Sequence, residues 1–219
     1  MQKTQDCPLC GYQSIPVQTI TPFRYAHCPH CRGISMDRDL LLSPQVELER
    51  YRQHNNDVED PRYQNFVRPL VDLIASNHRP SERGLDFGAG PGPVITKMLG
   101  ERGFQVALYD PFFHPDTRVL QGTYDFIVSC EVIEHFHDPR ASFELLKTLL
   151  AQNGVLYCRT TLVTEDTDFP RWYYRNDETH VFFYHEETIA WIAESIMCCN
   201  YTILDRNLLY FSTKRKEQA

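Results

Sequence analysis

The sequence predicts a doubly wound α/β fold: a mostly parallel, seven-stranded sheet with helices on both faces, preceded by a small zinc-ribbon-like segment. Three observations carry this expectation. Residues 84–92, Gly-Leu-Asp-Phe-Gly-Ala-Gly-Pro-Gly, read as the end of a buried strand, a turn of alternating glycines, and the start of a helix carried by Val94, Ile95, Met98 and Leu99. From Leu85 to Ser212, short apolar runs alternate with amphipathic stretches, the pattern of a sheet layered between helices. Near the N-terminus, two Cys-x-x-Cys pairs are separated by 17 residues, a spacing read as a four-cysteine metal site.

Residues 1–42 hold those pairs, Cys7 with Cys10 and Cys28 with Cys31. Two cysteines three apart form a knuckle that presents both thiolates to one ion, and two knuckles close a tetrahedral zinc site. A segment this small has too little core to fold unaided, so the metal is expected to supply the stability. A closed site has no open position for catalysis, and zinc is read as a staple. Residues 43–80 are expected to be a helical linker and cover. Ser43 and Pro44 suit a helix start, with Val46, Leu48, Tyr51 and His54 loosely periodic and an end near His54-Asn55-Asn56. A second helix starts at Asp60-Pro61 with an apolar face of Tyr63, Phe66, Val67, Leu70 and Ile74; Pro69 is expected to kink it or shorten its start.

The main domain is placed at residues 81–219. After the glycine turn and its helix, residues 104–110 form the second strand, ending in Asp110 and followed by Pro111. A carboxylate at that strand tip is placed to take both hydroxyls of a ribose. Residues 118–120 are read as a short third strand. Residues 124–130 form the fourth, apolar at its centre and so buried on both faces. Asp138 and Pro139 open the next helix, with Phe143, Leu146, Leu149 and Leu150 as its buried stripe. Residues 155–160 are the fifth strand. A polar and aromatic loop, residues 161–185, leaves the carboxyl edge of the sheet, where open α/β sheets carry their ligands. Ile189, Ile192, Ala193 and Ile196 mark a last helix. Two strands flanking Asp205-Arg206-Asn207 then form a closing antiparallel hairpin, and the tail Lys214-Arg215-Lys216 is basic.

Composition narrows the partners. The net charge of -7 argues against a large phosphate-binding surface, so nucleic acid is not the expected partner. No run is long enough to span a membrane, and polar Gln2, Lys3, Gln5 and Asp6 do not read as a secretory signal. Eight cysteines, four of them in metal-type pairs, fit a reducing cytoplasm.

The glycine turn decides between two ligands. A dinucleotide turn needs a third glycine one residue later than Gly92, where Pro93 stands, and Asp86 would repel a diphosphate. The stretch Leu85-Asp86-Phe87-Gly88-Ala89-Gly90-Pro91-Gly92 instead resembles motif I of the class I S-adenosylmethionine (SAM) dependent methyltransferases, and Glu131-Val132-Ile133-Glu134-His135 looks like their segment after strand four. The resemblance covers roughly residues 60–212. It implies a Rossmann-like fold, with SAM lying across Gly88, Ala89, Gly90 and Gly92. Phe87 and Pro111 would line it, Asp110 would hold the ribose, and Asp86 would act on the amino acid end, directly or through water. Glu131 would contribute from strand four, and Tyr63, with Tyr51 and His54, would cover it. One departure is that the region from Leu120 to Tyr124 is short and lacks the acidic residue many members use on the adenine amino group. Zinc modules also precede some methyltransferases of sugars and of ribosomal RNA.

Transfer from a sulfonium is an in-line displacement, so the protein must chiefly align donor and acceptor and exclude water. An acceptor carrying a hydroxyl or amine can also need a base. His180 is the first choice, with His135 and His185 as alternatives, and Tyr184 among the loop aromatics that wall off water and offer hydroxyls. The reading is methyl transfer to a small molecule held under residues 166–185. Its alternatives are an RNA or protein methyltransferase docking through the ribbon, a non-catalytic binding module, and an NAD-linked oxidoreductase. No motif encodes the acceptor or the oligomeric state.

Overall fold

The computed structural model describes residues 5–16, 22–53 and 57–213. The expected turn at His54, a covering role for His54, and the basic tail therefore lie outside the described residues.

A four-stranded antiparallel sheet opens the chain. It comprises β1 (Ile15–Pro16), β2 (Tyr25–His27), β3 (Ile34–Met36) and, from far along the sequence, β8 (Phe182–Phe183). Phe182 pairs with Ser35 and Phe183 with Ile34. Gly33 permits this approach: a Cβ there would lie 2.4 Å from the Phe182 ring. The loop expected to leave the carboxyl edge of the main sheet thus donates a strand to the N-terminal sheet.

Helix α1 (Pro44–Arg52) follows, then α2 (Pro61–Asn77), whose start is capped by Asp60 accepting from the Arg62 amide at 2.8 Å. Of the two effects expected of Pro69, the shortened start is not seen: α2 runs through it from Pro61 to Asn77. Val67, Leu70, Val71 and Ile74 are fully buried, and that burial outweighs one missing backbone hydrogen bond.

The main sheet has six strands among the described residues. In spatial order they are β5 (Gln105–Tyr109), β4 (Arg83–Phe87), β6 (Tyr124–Cys130), β7 (Leu150–Arg159), β10 (Leu208–Ser212) and β9 (Asn200–Ile203). The strand carrying Leu85 is internal, parallel to β5 on one side and β6 on the other. Strand β10 runs opposite to the other five, antiparallel to β7 and β9, closing the sheet by the expected hairpin. Helices α2 and α3 (Val94–Gly100) pack on one face, α4 (Pro139–Leu149) and α5 (Glu186–Ile192) on the other. The seventh strand is missing because residues 117–121 form a 3-10 turn instead. Asp116 accepts from the Arg118 amide at 3.0 Å and pairs with its guanidinium at 2.7 Å. These local bonds outcompete a strand only three residues long.

Candidate active site

The glycine turn is shaped by its neighbours. Gly88 has φ +82° and Gly90 +63°, and a Cβ on Gly88 would meet Val132 at 2.5 Å, so no larger residue fits there. The turn is stitched to β5: Gly88 and Ala89 donate to the Tyr109 carbonyl at 2.8 and 3.1 Å. Gly90 donates to Asp110 Oδ2 at 3.0 Å, while Asp110 Oδ1 accepts from Phe112 and Phe113 at 2.8 and 2.9 Å. Asp110 thus organises both turns at the carboxyl edge of the sheet. Its Oδ1 is filled by two amides, while Oδ2, with one, keeps a second lone pair for a ligand.

A cavity of about 630 Å³ opens above this turn, within the range of roughly 300–1,000 Å³ usual for small-molecule sites. Its floor is the glycine turn with Phe87 and Asp110. Its roof is Glu47 and Tyr51 from α1 with Tyr63 from α2, and its far end is Glu131, His135 and His180. The roof is pinned by polar contacts. Glu47 meets His137 at 2.9 Å, Arg50 donates to Asp177 at 2.9 Å, and the Tyr51 ring packs on Phe112 and His135.

The far end is crowded with carboxyl and imidazole groups. Tyr174 donates its hydroxyl to Glu134 Oε1, and the tyrosine oxygen also lies 3.1 Å from Glu131 Oε2. Glu131 occupies the left-handed region, φ +53°. Burial, reinforced by the Glu131 charge, pushes the Glu134 carboxyl up to about 8. Burial also raises Glu131, against the opposing Tyr174 hydroxyl and Arg159. His135 Nδ1 donates to the Thr179 carbonyl at 2.8 Å and His180 Nδ1 to the Tyr174 carbonyl at 2.6 Å.

Of the residues read from the sequence, Phe87, Gly88, Ala89, Gly90, Asp110, Pro111, Glu131, Tyr63, His135 and His180 all line the cavity. Asp86 and Gly92 are buried beside it and are not among its lining residues. Asp86 accepts from the Thr96 hydroxyl at 2.9 Å, and burial pushes it up to about 7. Tyr184 is fully buried and donates to the Ile133 carbonyl at 2.8 Å, so its hydroxyl is committed to the core. His185 caps α5. Trp172 and Tyr173 face a different cleft, of about 490 Å³, beside Arg206. Of residues 161–185, only His180 lines the main cavity, because the aromatic residues pack on the ribbon sheet instead. Sequence reasoning missed Glu47, Phe112, Phe113 and His137 as lining groups. The aromatic pair after Asp110-Pro111 was the available signal, whereas Glu47 lines the cavity only through tertiary placement of α1.

The four cysteines of the ribbon come together, their sulfurs all within 4.8 Å of one another. Cys7 and Cys31 are 3.6 Å apart and Cys10 and Cys28 are 3.4 Å apart, close to the roughly 3.8 Å edge of a tetrahedron with 2.3 Å metal–sulfur bonds. The Cys31 thiol beside it lowers Cys7 to about 5, and the same contact raises Cys31. Four soft, largely buried donors with these separations fit a structural zinc ion.

A parallel sheet with its cavity at the carboxyl edge, over a glycine turn and a strand-tip aspartate, defines an enzyme that binds an adenosine cofactor. A family model described as a methyltransferase domain matches residues 59–196. That is more than half of the chain, and the protein belongs to this family of SAM-dependent methyltransferases. Comparison with the curated proteins gives no match. Among solved structures, an O-methyltransferase family protein from Burkholderia thailandensis is 13% identical with a TM-score of 0.53, over 80% of this chain and 69% of that one. The 1,6-didemethyltoxoflavin-N1-methyltransferase of the same organism, with its substrate and S-adenosylhomocysteine bound, is 14% identical with a TM-score of 0.51, over 90% and 97%. The magnesium protoporphyrin IX methyltransferase of Synechocystis, with bound S-adenosylhomocysteine, is 16% identical with a TM-score of 0.52, over 81% and 98%. These likenesses show the fold. No helix among the described residues is long and apolar enough to cross a membrane.

Proposed function

We propose that the protein transfers the SAM methyl group to a small molecule held between the glycine turn and the His135–His180 end of the cavity. The observation that carries this reading is the single continuous cavity shared by the glycine turn, Asp110 and both histidines. SAM lies across Gly88, Ala89 and Gly90 with Asp110 on its ribose. Phe87 and Pro111 flank it, Tyr63 covers it and Glu131 bounds it. Asp86 and Gly92 support the turn from below, and Asp86 reaches the amino acid end through the turn or a water. His180, with His135 beside it, is the base or orienting group on the acceptor side. A net charge of -7 and the small-molecule substrates of two structural relatives support a small acceptor over RNA.

In this reading residues 1–42 are a zinc ribbon, 43–80 a helical cover and 81–219 the catalytic domain. Zinc on Cys7, Cys10, Cys28 and Cys31 is structural. Eight free thiols suit a reducing compartment, the cytoplasm.

Titration calorimetry with SAM and S-adenosylhomocysteine tests the cofactor assignment. Asp110→Ala should weaken both by about 1–3 kcal/mol through lost hydrogen bonds. Absence of binding by the wild-type protein, or unchanged binding in the variant, overturns the reading.

A further inference from the structure

We propose that Glu134, His135 and His180 form a site for one divalent transition-metal cation at the acceptor end of the cavity, separate from the four cysteines. One ligand atom from each of the three lies within 4.8 Å of the other two. The backbone builds this grouping. Glu134 and His135 are adjacent on one 3-10 turn, Ile133–His135. The Val181 amide donates to the Glu134 carbonyl at 2.9 Å, which draws His180 alongside.

Hydrogen bonding assigns the tautomer of each ring. A carbonyl only accepts, so both Nδ1 atoms carry their protons toward backbone oxygens and the lone pair of each ring lies on Nε2. Metal-bound histidines are held by this second hydrogen bond. Glu134 is fully buried; Tyr174 occupies Oε1, and Oε2 is buried with no hydrogen-bond partner. A buried carboxylate oxygen left unsatisfied is costly, and a cation beside it removes the cost. The Tyr174 hydroxyl has one proton to give, yet it faces both Glu131 and Glu134. A dication at Glu134 offsets the repulsion between the two carboxylates.

The donor set defines the ion and its task. Two imidazoles and one carboxylate leave positions open and suit Mn²⁺, Fe²⁺, Co²⁺ or Zn²⁺. Methyl transfer involves no redox step, so the ion acts as a Lewis acid on an acceptor oxygen. Resting on the SAM reading above, this assigns the acceptor to molecules bearing a hydroxyl. The bound hydroxyl loses its proton to the Glu131 carboxylate. Its oxygen then forms the O–CH₃ bond as the S–CH₃ bond breaks, and that electron pair returns to sulfur to leave S-adenosylhomocysteine.

Manganese distinguishes this site from the thiolates, which select softer ions. The zinc-loaded full chain is titrated with Mn²⁺ and followed by electron paramagnetic resonance. One Mn²⁺ per chain should bind, and spin-echo modulation of the wild-type protein should show coupled imidazole nitrogen. H180A and E134Q should weaken Mn²⁺ by roughly 10–100-fold or more while binding S-adenosylhomocysteine as the wild type does. Absence of stoichiometric Mn²⁺ in the wild type, absence of nitrogen coupling, or unchanged affinity in a variant that still binds S-adenosylhomocysteine overturns the proposal. If a variant does not fold, the wild-type stoichiometry and nitrogen coupling decide alone. Wild-type protein that binds S-adenosylhomocysteine but not Mn²⁺ refutes only the metal site. Protein that binds Mn²⁺ but neither adenosyl ligand refutes the cofactor reading instead.

Discussion

Asp86 sits on an internal strand with almost no access to water and a single hydroxyl donor, Thr96. Burial raises its folded value from 3.8 to about 7, with Asp110 adding to the effect. The folded protein therefore binds more protons than the unfolded chain between about pH 4 and 7. The stability contributed by the neutral form is complete below about 4 and is lost as pH rises through about 7. Asp86→Asn, neutral throughout, should abolish this slope. Thermal melts of the ligand-free protein between pH 5 and 8 should show the wild type losing more stability than the variant; parallel curves contradict the assignment. The sequence pointed to Asp86 as a ligand group. The structure buries it beside the cavity on Thr96, because side chains at a strand end alternate between the cavity and the layer beneath it.

Helix α1 shows how an element can be set by polar contacts. Glu47 is its one buried residue, and its hold on the main domain runs through Glu47–His137, Arg50–Asp177 and the Tyr51 ring. Arg50→Ala removes one pin without disturbing Asp177, which still accepts from the Thr179 amide and hydroxyl. A partly exposed pair is worth roughly 0.2–1 kcal/mol. Amide exchange over residues 44–52 should therefore quicken about 2–5-fold, with ligand affinity reduced to a similar extent and α2 unchanged. Exchange equal to the wild type across α1 would show that Arg50 does not hold the roof.

At the scale of the molecule, the N-terminal cysteine segment and the main sheet share a core. Cys7, Leu9, Cys28 and Cys31 pack in one cluster with Phe143, Phe182, Tyr184 and Leu156. Strand β8 continues the ribbon sheet two residues after His180. Elemental analysis of gently purified protein should find zinc on the cysteine cluster. Chelation should then raise hydrogen exchange in residues 25–36 and also in 180–184, and lower the melting temperature of the whole chain. Protein free of zinc and iron defeats the metal reading. Loosening confined to the ribbon would show that the shared core carries little coupling.

Local chemistry determined much of this protein. Periodicity places β4, β6, α4 and the closing hairpin because each carries its own pattern and its own cap. Gly88 and Gly90 were legible because a positive φ is written in the residue itself, and the cysteine pairs because ligand spacing is local. Tertiary structure alone decided the remainder. Phe182 and Phe183 joined β3, some 150 residues earlier in the chain, and so took the loop's aromatic residues away from the cavity. Glu134 and His180 met through one backbone bond across the fold. Composition and periodicity report what each residue does to its near neighbours, and carry no record of which distant segment offers the matching surface.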